Sequence, residues 1–240
     1  MFKNILEKYL QKYSLNGNIN STVVKIRNQV MQTTFMTDDK SLYGNLVLKD
    51  IDIQDCKLGI YNTSTLQRIL SVLNDNINIK IDIIDSMSVR MNLSDSNIKA
   101  SFMLSDLSIF NIPPDLTQLP PWDIQTKIDN QFIQTFVKSK AALADIENFA
   151  VVSKQGKYNI VIGWATHHTD SIFIPLTSMD NVQPLSTVLF NANLLRDIFN
   201  ANRECREAHL SISEQGILRV LFKVDNFEAT YYLTAIQGDD

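Results

Sequence analysis

Hydrophobic and polar positions along the chain follow two periods. Over residues 2–13, Phe2, Ile5, Leu6, Tyr9, Leu10 and Tyr13 recur at helical spacing and form one stripe. A second helical window follows Thr63 or Ser64, either of which can act as N-cap, and runs to about Leu73. A third spans roughly 129–143 and a fourth roughly 193–202. Between these windows the period falls to two and β-branched residues accumulate, over 77–83, 88–93, 98–104, 158–164, 172–176, 217–224 and 229–236. Turn signals at Asp75-Asn76, Gln155-Gly156, Gln215-Gly216 and Asp225-Asn226 punctuate the runs. Few helices and many antiparallel strands predict an α+β fold with helices on one sheet face.

The pattern also repeats. Leu66-Gln67-Arg68-Ile69-Leu70 returns 129 positions later as Leu195-Arg196-Asp197-Ile198-Phe199. At the same offset, residues 98–105 match 227–234 almost class for class. At an offset of 127, Ile5, Leu6, Tyr9 and Leu10 correspond to Phe132, Ile133, Phe136 and Val137. A two-residue indel separates the two registers, of a size that loops accept. Three segments repeating in order predict two similar domains, each with two helices on antiparallel sheet, at 1–110 and 126–240. Residues 111–125 join them and hold four of the six prolines, Pro113, Pro114, Pro120 and Pro121. Proline fixes φ and donates no ladder hydrogen bond, so this stretch reads as an extended connector. Its apolar residues Ile112, Leu116, Leu119 and Trp122 predict a connector packed along a domain.

Composition narrows the class. An apolar fraction of 45% over 240 residues supports one large core or two smaller ones. No apolar run approaches the roughly 18 residues of a membrane span. Charge interrupts the N-terminal apolar stretch too early for a secretory signal. Cys56 and Cys205 lie far apart and form no CxxC pair, which fits a reducing compartment. The net charge of −4 argues against nucleic acid unless the positive charge is concentrated on one surface. The helix faces opposite the apolar stripes answer that point. They present Asn4, Lys8 and Gln11, flanked by Lys3, Glu7 and Lys12; then Ser64, Arg68, Ser71 and Asp75; then Gln131, Gln134 and Lys138; then Asn193, Arg196, Asp197 and Asn200. Many acids fall instead in strands and turns. Such faces are either simply solvated or touch phosphates weakly without reading bases.

Catalytic signatures are missing. The sequence holds no GxxxxGK[ST], GxSxG or HExxH. His167-His168 has only His209 as a histidine companion and no cysteine nearby, so it reads as a polar turn; no metal site and no cofactor is expected. Asp38-Asp39 and Asp239-Asp240 read as solvated turns or tails. An enzyme is the least supported class.

In length, order and duplication the chain resembles the DNA polymerase sliding clamps, specifically those of T-even-like tailed phages. The closest stretches are Ile60-Tyr61-Asn62 through Leu66–Asp75, the connector ending Leu119-Pro120-Pro121-Trp122, and Tyr231-Tyr232-Leu233-Thr234-Ala235-Ile236 before an acidic tail. The resemblance implies a homotrimeric ring that encircles duplex DNA, with helices lining the hole. It implies a processivity factor that tethers the replicative polymerase, is loaded by a clamp-loader ATPase, and works in the cytoplasm of an infected bacterial cell. By position, Lys8, Lys12, Arg68, Lys138 and Arg196 would face DNA, with Lys3 and Arg203 beside them. Ile112, Leu116, Leu119, Trp122, Leu233 and Ile236 would form a groove for partner peptides; ordinary packing of a linker is the competing reading of the same residues. Subunit contacts would use edge strands, 107–112 of one chain against 172–176 of the next. A phage structural or assembly protein without DNA contact shares the duplication and strand content and is the alternative. A single-stranded DNA binder is disfavoured because basic and aromatic residues do not interleave.

Overall fold

The computed structural model describes residues 3–154, 156–164, 170–176 and 184–236. The chain forms two compact units. One comprises Met1–Thr37, Gly44–Asp115 and Asp225–Ala229; the other comprises Asp38–Tyr43, Leu116–Val224 and Thr230–Asp240.

The first unit begins with α1 (Lys3–Ser14), which the stripe of residues 2–13 anticipates, and continues into a 3-10 turn at Leu15–Gly17. Strands β1 (Thr22–Arg27), β2 (Val30–Met36), β3 (Leu42–Leu48) and β4 (Cys56–Ile60) follow. They lie in the order β4-β1-β2-β3, and both partners of β1 run antiparallel to it. β2 and β3 bury every second residue, which fixes one core face and one outer face. α2 (Thr63–Ser71) packs beside α1. β5 (Asn78–Ile84), β6 (Met87–Ser94) and β7 (Lys99–Met103) form an antiparallel three-stranded sheet with a register slip at Asp82/Ile83. Tyr9, Tyr13, Leu66 and Leu70 occupy the core under the helices. The Tyr13 hydroxyl meets Thr63 Oγ1 at 2.8 Å, and Thr63 donates in turn to the Asn20 carbonyl at 2.9 Å. This buried chain of hydrogen bonds ties α1 to the start of α2.

The second unit holds β8 (Ile124–Asp129), α3 (Asn130–Ala142), β9 (Asn148–Lys154), β10 (Lys157–Ile162), β11 (Ile172–Pro175), β12 (Val188–Asn191), α4 (Ala192–Ala201), β13 (Glu207–Ser213) and β14 (Ile217–Val224); of β15 (Phe227–Thr234), Phe227–Ala229 belong to the first unit and the rest to the second. Its strands run in the orders β11-β10-β9-β12 and β15-β14-β13-β8. α3 packs against α4, and α4 rests on β9. Phe136 anchors the interior, its ring 5.3 Å from Phe199 and 5.6 Å from Phe149, both edge to face.

Burial follows the repeat. Leu66 and Leu195, Leu70 and Phe199, Leu6 and Ile133, Tyr9 and Phe136, and Phe102 and Tyr231 are all buried pairs at the two offsets read from the sequence. The architecture is the expected α+β, few helices on antiparallel sheet. Two details differ. Asn62, not Thr63 or Ser64, caps α2, its side chain accepting from Thr65 N at 2.9 Å; Thr63 is the first helical residue and turns inward. Leu107–Ile109 is a 3-10 turn rather than part of an edge strand, because the Asp106 carboxylate accepts from Ser108 N at 2.8 Å and closes it. β11, the other expected edge, does end its sheet. His167 and His168 and the pair Asp239-Asp240 lie outside the described residues.

Candidate functional site

Most of the polar positions expected on the helix faces do lie outward, but Lys12 and Asp197 do not. On α1 and α2, Asn4, Gln11, Ser64, Arg68 and Ser71 are exposed and Lys8 is half-buried. Arg68 donates to the Thr65 hydroxyl at 3.0 Å, a neutral partner that leaves its charge in place. Lys3 is held tightly: its Nζ donates to the Leu73 carbonyl at 2.7 Å and lies 3.6 Å from the Glu7 carboxylate.

Lys12 departs from the expectation. It is fully buried, with its ammonium 5.4 Å from the Phe227 ring centroid. Residue 12 lies three past Tyr9 and one before Tyr13, at the margin of the buried stripe, and Phe227 covers that margin. Its aliphatic stem therefore serves as core, and its charge is withdrawn from the outer face.

On α3 and α4, Gln131, Gln134 and Lys138 are exposed, as is Arg203 beyond the end of α4. Arg196 is exposed only to 31% at its side chain; Nε and Nη2 both reach Asp197 Oδ1 at 3.0 Å, and Nη1 donates to Asn193 at 3.3 Å. Lys140 turns inward at the end of α3, where Nζ donates to the carbonyls of Ala144 at 2.8 Å and Leu143 at 3.4 Å. Burial, and then the Arg196 guanidinium, hold its pKa below the ordinary lysine value. Lys138 and Arg203 thus carry the free-standing positive charge of this pair of helices, while Asp197, expected by spacing on the outer face, is buried beside Arg196.

The connector residues divide in the same way. Ile112, Leu116 and Leu119 are exposed at 53%, 43% and 38%. Trp122 is half-buried beneath Arg219, whose guanidinium sits 4.7 Å from the ring centroid and donates to Ser211 Oγ at 2.9 Å. Arg219 stands on the outer face of β14, where the period of two places it between buried Leu218 and Val220; the strand pattern could have found it. Leu233 is a core residue of β15, so alternation puts it under the sheet and leaves no groove surface for it. Ile236 is exposed, and its N–H donates to the Leu189 carbonyl at 2.9 Å.

Among the described residues no cluster of His, Cys, Asp and Glu could hold a metal ion. No described helix is long and apolar enough to cross a membrane.

No family model matches the chain. No curated protein matches its sequence. Solved structures do match. Proliferating cellular nuclear antigen from Entamoeba histolytica superposes with a TM-score of 0.75 at 13% identity, over 98% of this chain and 96% of that one. The PCNA2-PCNA3 complex from Sulfolobus tokodaii gives 0.73 at 9% identity, over 98% and 97%. A. fulgidus PCNA bound to the C-terminal region of FEN-1 gives 0.76 at 12% identity, over 100% and 98%. From end to end, the chain has the fold of the PCNA-type DNA sliding clamps.

Proposed function

We propose that this chain is one subunit of a DNA sliding clamp, a processivity factor of the tailed-phage type that encircles duplex DNA and tethers the replicative polymerase. The observation that carries the reading is the full-length likeness to clamp structures, which leaves almost no part of the chain unmatched. In this reading the subunits close as a homotrimer, are opened and loaded by a clamp-loader ATPase, and act in the cytoplasm of the infected host. Closure is supported by the edge position of β11 and by the ring's removal of sheet edges that otherwise invite aggregation. The solved relatives include a complex of two PCNA types and a clamp carrying a segment of a second protein. By analogy this chain takes short peptides from polymerase and loader at Ile112, Leu116, Leu119, Trp122 and Ile236.

DNA contact in this proposal comes from Lys8, Arg68, Lys138 and Arg203 on the outer helix faces. Their phosphate contacts are few and carry no sequence information, which suits sliding, where tight contact would act as a brake. Amides and hydroxyls surround them and keep each contact shallow.

Light scattering across a concentration series tests the assembly. A species near 82 kDa is expected, about three times the 27.3 kDa chain. Once loaded, that species should stay on nicked circular DNA and run off when the circle is linearised. A strict monomer at every concentration, or equal retention on both DNA forms, overturns the proposal.

A further inference from the structure

The α3–α4 face contains a cation that is cancelled from within. Arg196 and Asp197 are neighbours on one helix, where successive side chains point about 100° apart and do not ordinarily meet. Here the guanidinium bends around the helix so that Nε and Nη2 both reach one carboxylate oxygen at 3.0 Å. Asp197 is nearly buried, its side chain 8% exposed, so the pair draws the guanidinium toward the protein rather than outward. Asn193, one turn earlier, accepts from Nη1 and holds the same pose. Lys140 does not reach the outer face, because it is buried and its ammonium donates to the carbonyls of Leu143 and Ala144 just past α3.

We infer that Asp197 is a positioning residue that withholds the Arg196 charge from DNA and so sets the drag of the α3–α4 face on the duplex. The inference rests on the clamp reading above. Neutral as a pair, Arg196 and Asp197 contribute nothing to the counterion release that governs protein–phosphate affinity. The positive face of these helices then comes down to Lys138 and Arg203. A residue that only needed to hold Arg196 in place could be an amide; a carboxylate also removes its charge.

The test is binding of the purified protein to a short labelled duplex, followed by anisotropy across a salt series, for four variants and the parent. Asp197→Asn keeps an acceptor for Arg196 and removes only the charge. It should bind DNA more tightly at low salt, with a salt slope steeper by about 0.9 for each additional phosphate neutralised, so that its advantage shrinks about 3.5-fold between about 50 and 200 mM salt. Arg196→Gln leaves the carboxylate alone and should bind more weakly than the parent. The double variant is neutral again and should match the parent. If Asp197→Asn equals the parent and the double variant is as weak as Arg196→Gln, then Arg196 is an ordinary DNA contact and the inference is overturned.

Lys138→Gln is the reference. If it leaves the salt slope unchanged, the DNA-facing role of these helices fails, and the inference fails with it. If it flattens the slope while Asp197→Asn does nothing, only the inference fails. Circular dichroism checks that each variant is folded. Should Asp197→Asn unfold alone, the recovery of binding from Arg196→Gln to the double variant reads the same charge.

Discussion

Lys12 and Lys138 look alike in the sequence, each a lysine late in the first helix of its half, and the structure buries the first and exposes the second. Replacing Lys12 by alanine deletes the outer three methylenes of a fully buried stem and its approach to the Phe227 ring. At about 0.8 kcal/mol per buried CH₂, the stem contributes about 2.4 kcal/mol. The cation–π interaction adds about 0.5–2 kcal/mol. Loss of about 3–4 kcal/mol is expected, a large fraction of the 5–15 kcal/mol that holds a domain of this kind together. Lys138→Ala exposes no cavity and should stay within about 0.5 kcal/mol of the parent. On DNA the order reverses. Lys138→Ala should flatten the salt dependence of binding by about 0.9 for each phosphate it no longer neutralises, while folded Lys12→Ala leaves the slope unchanged. Urea unfolding and duplex binding across a salt series read the two effects separately. Parental stability in Lys12→Ala together with a salt slope flattened as in Lys138→Ala would overturn the burial of Lys12 and place its ammonium on the outer face of α1.

Other outcomes follow from particular interactions. Trp122→Ala removes the ring under Arg219 and should weaken binding of the polymerase's clamp-binding peptide about tenfold or more by calorimetry; undiminished affinity in a folded variant removes Trp122 from the site. Gly59→Ala drives a Cβ into the Ser105 carbonyl oxygen and within 2.8 Å of the Phe110 ring, so about 1–3 kcal/mol should be lost in urea unfolding, and parental stability would mean this close approach is absent. Tyr13→Phe breaks the buried bond to Thr63 and should cost about 1–2 kcal/mol, because Thr63 keeps its bond to the Asn20 carbonyl. Burial raises the pKa of Tyr9, Tyr13 and Tyr231, so native protein keeps their protons above about pH 10, where the unfolded chain releases them; stability is full below that pH and falls as pH climbs, by up to about 1.4 kcal/mol per pH unit for each tyrosine. Lys140 works in the opposite sense, since its lowered pKa makes native protein gain as alkali removes that proton, but one lysine is set against three tyrosines. Denaturant titrations above about pH 10 should therefore show a net loss, and a flat profile there would mean the tyrosines are not protected.

How much of the molecule is legible in its sequence depends on whether a feature is periodic. The stripe of α1 and the duplicated Leu66–Leu70 and Leu195–Phe199 windows are periodic, and burial follows their anchoring positions, Leu6, Tyr9, Leu66, Leu70, Leu195 and Phe199. β9 escapes a periodicity reading because Phe149, Ala150, Val151 and Val152 are all buried, and a continuous apolar run carries no alternation to read. Leu233, expected at a groove surface, instead continues the buried side of a strand whose alternation is plain in Phe227, Ala229 and Tyr231. Charged residues are harder, because a lysine at the margin of a stripe is exposed or buried according to what covers it. For Lys12 the cover is Phe227, more than 200 positions away in the sequence.

The Arg196–Asp197 pair shows the same limit in sharper form. Helical periodicity assigns each residue a direction by its Cα, and by that measure adjacent residues never meet. A long, jointed arginine stem can nonetheless carry its charge about a third of the way around the helix to a neighbour. Counting lysines and arginines on a face therefore measures where stems begin, whereas the field felt by a phosphate depends on where the heads end. Under the proposed clamp function, in which DNA is held without being gripped, the second quantity matters. An acidic residue beside an arginine can lower it without altering the number of cations on the helix.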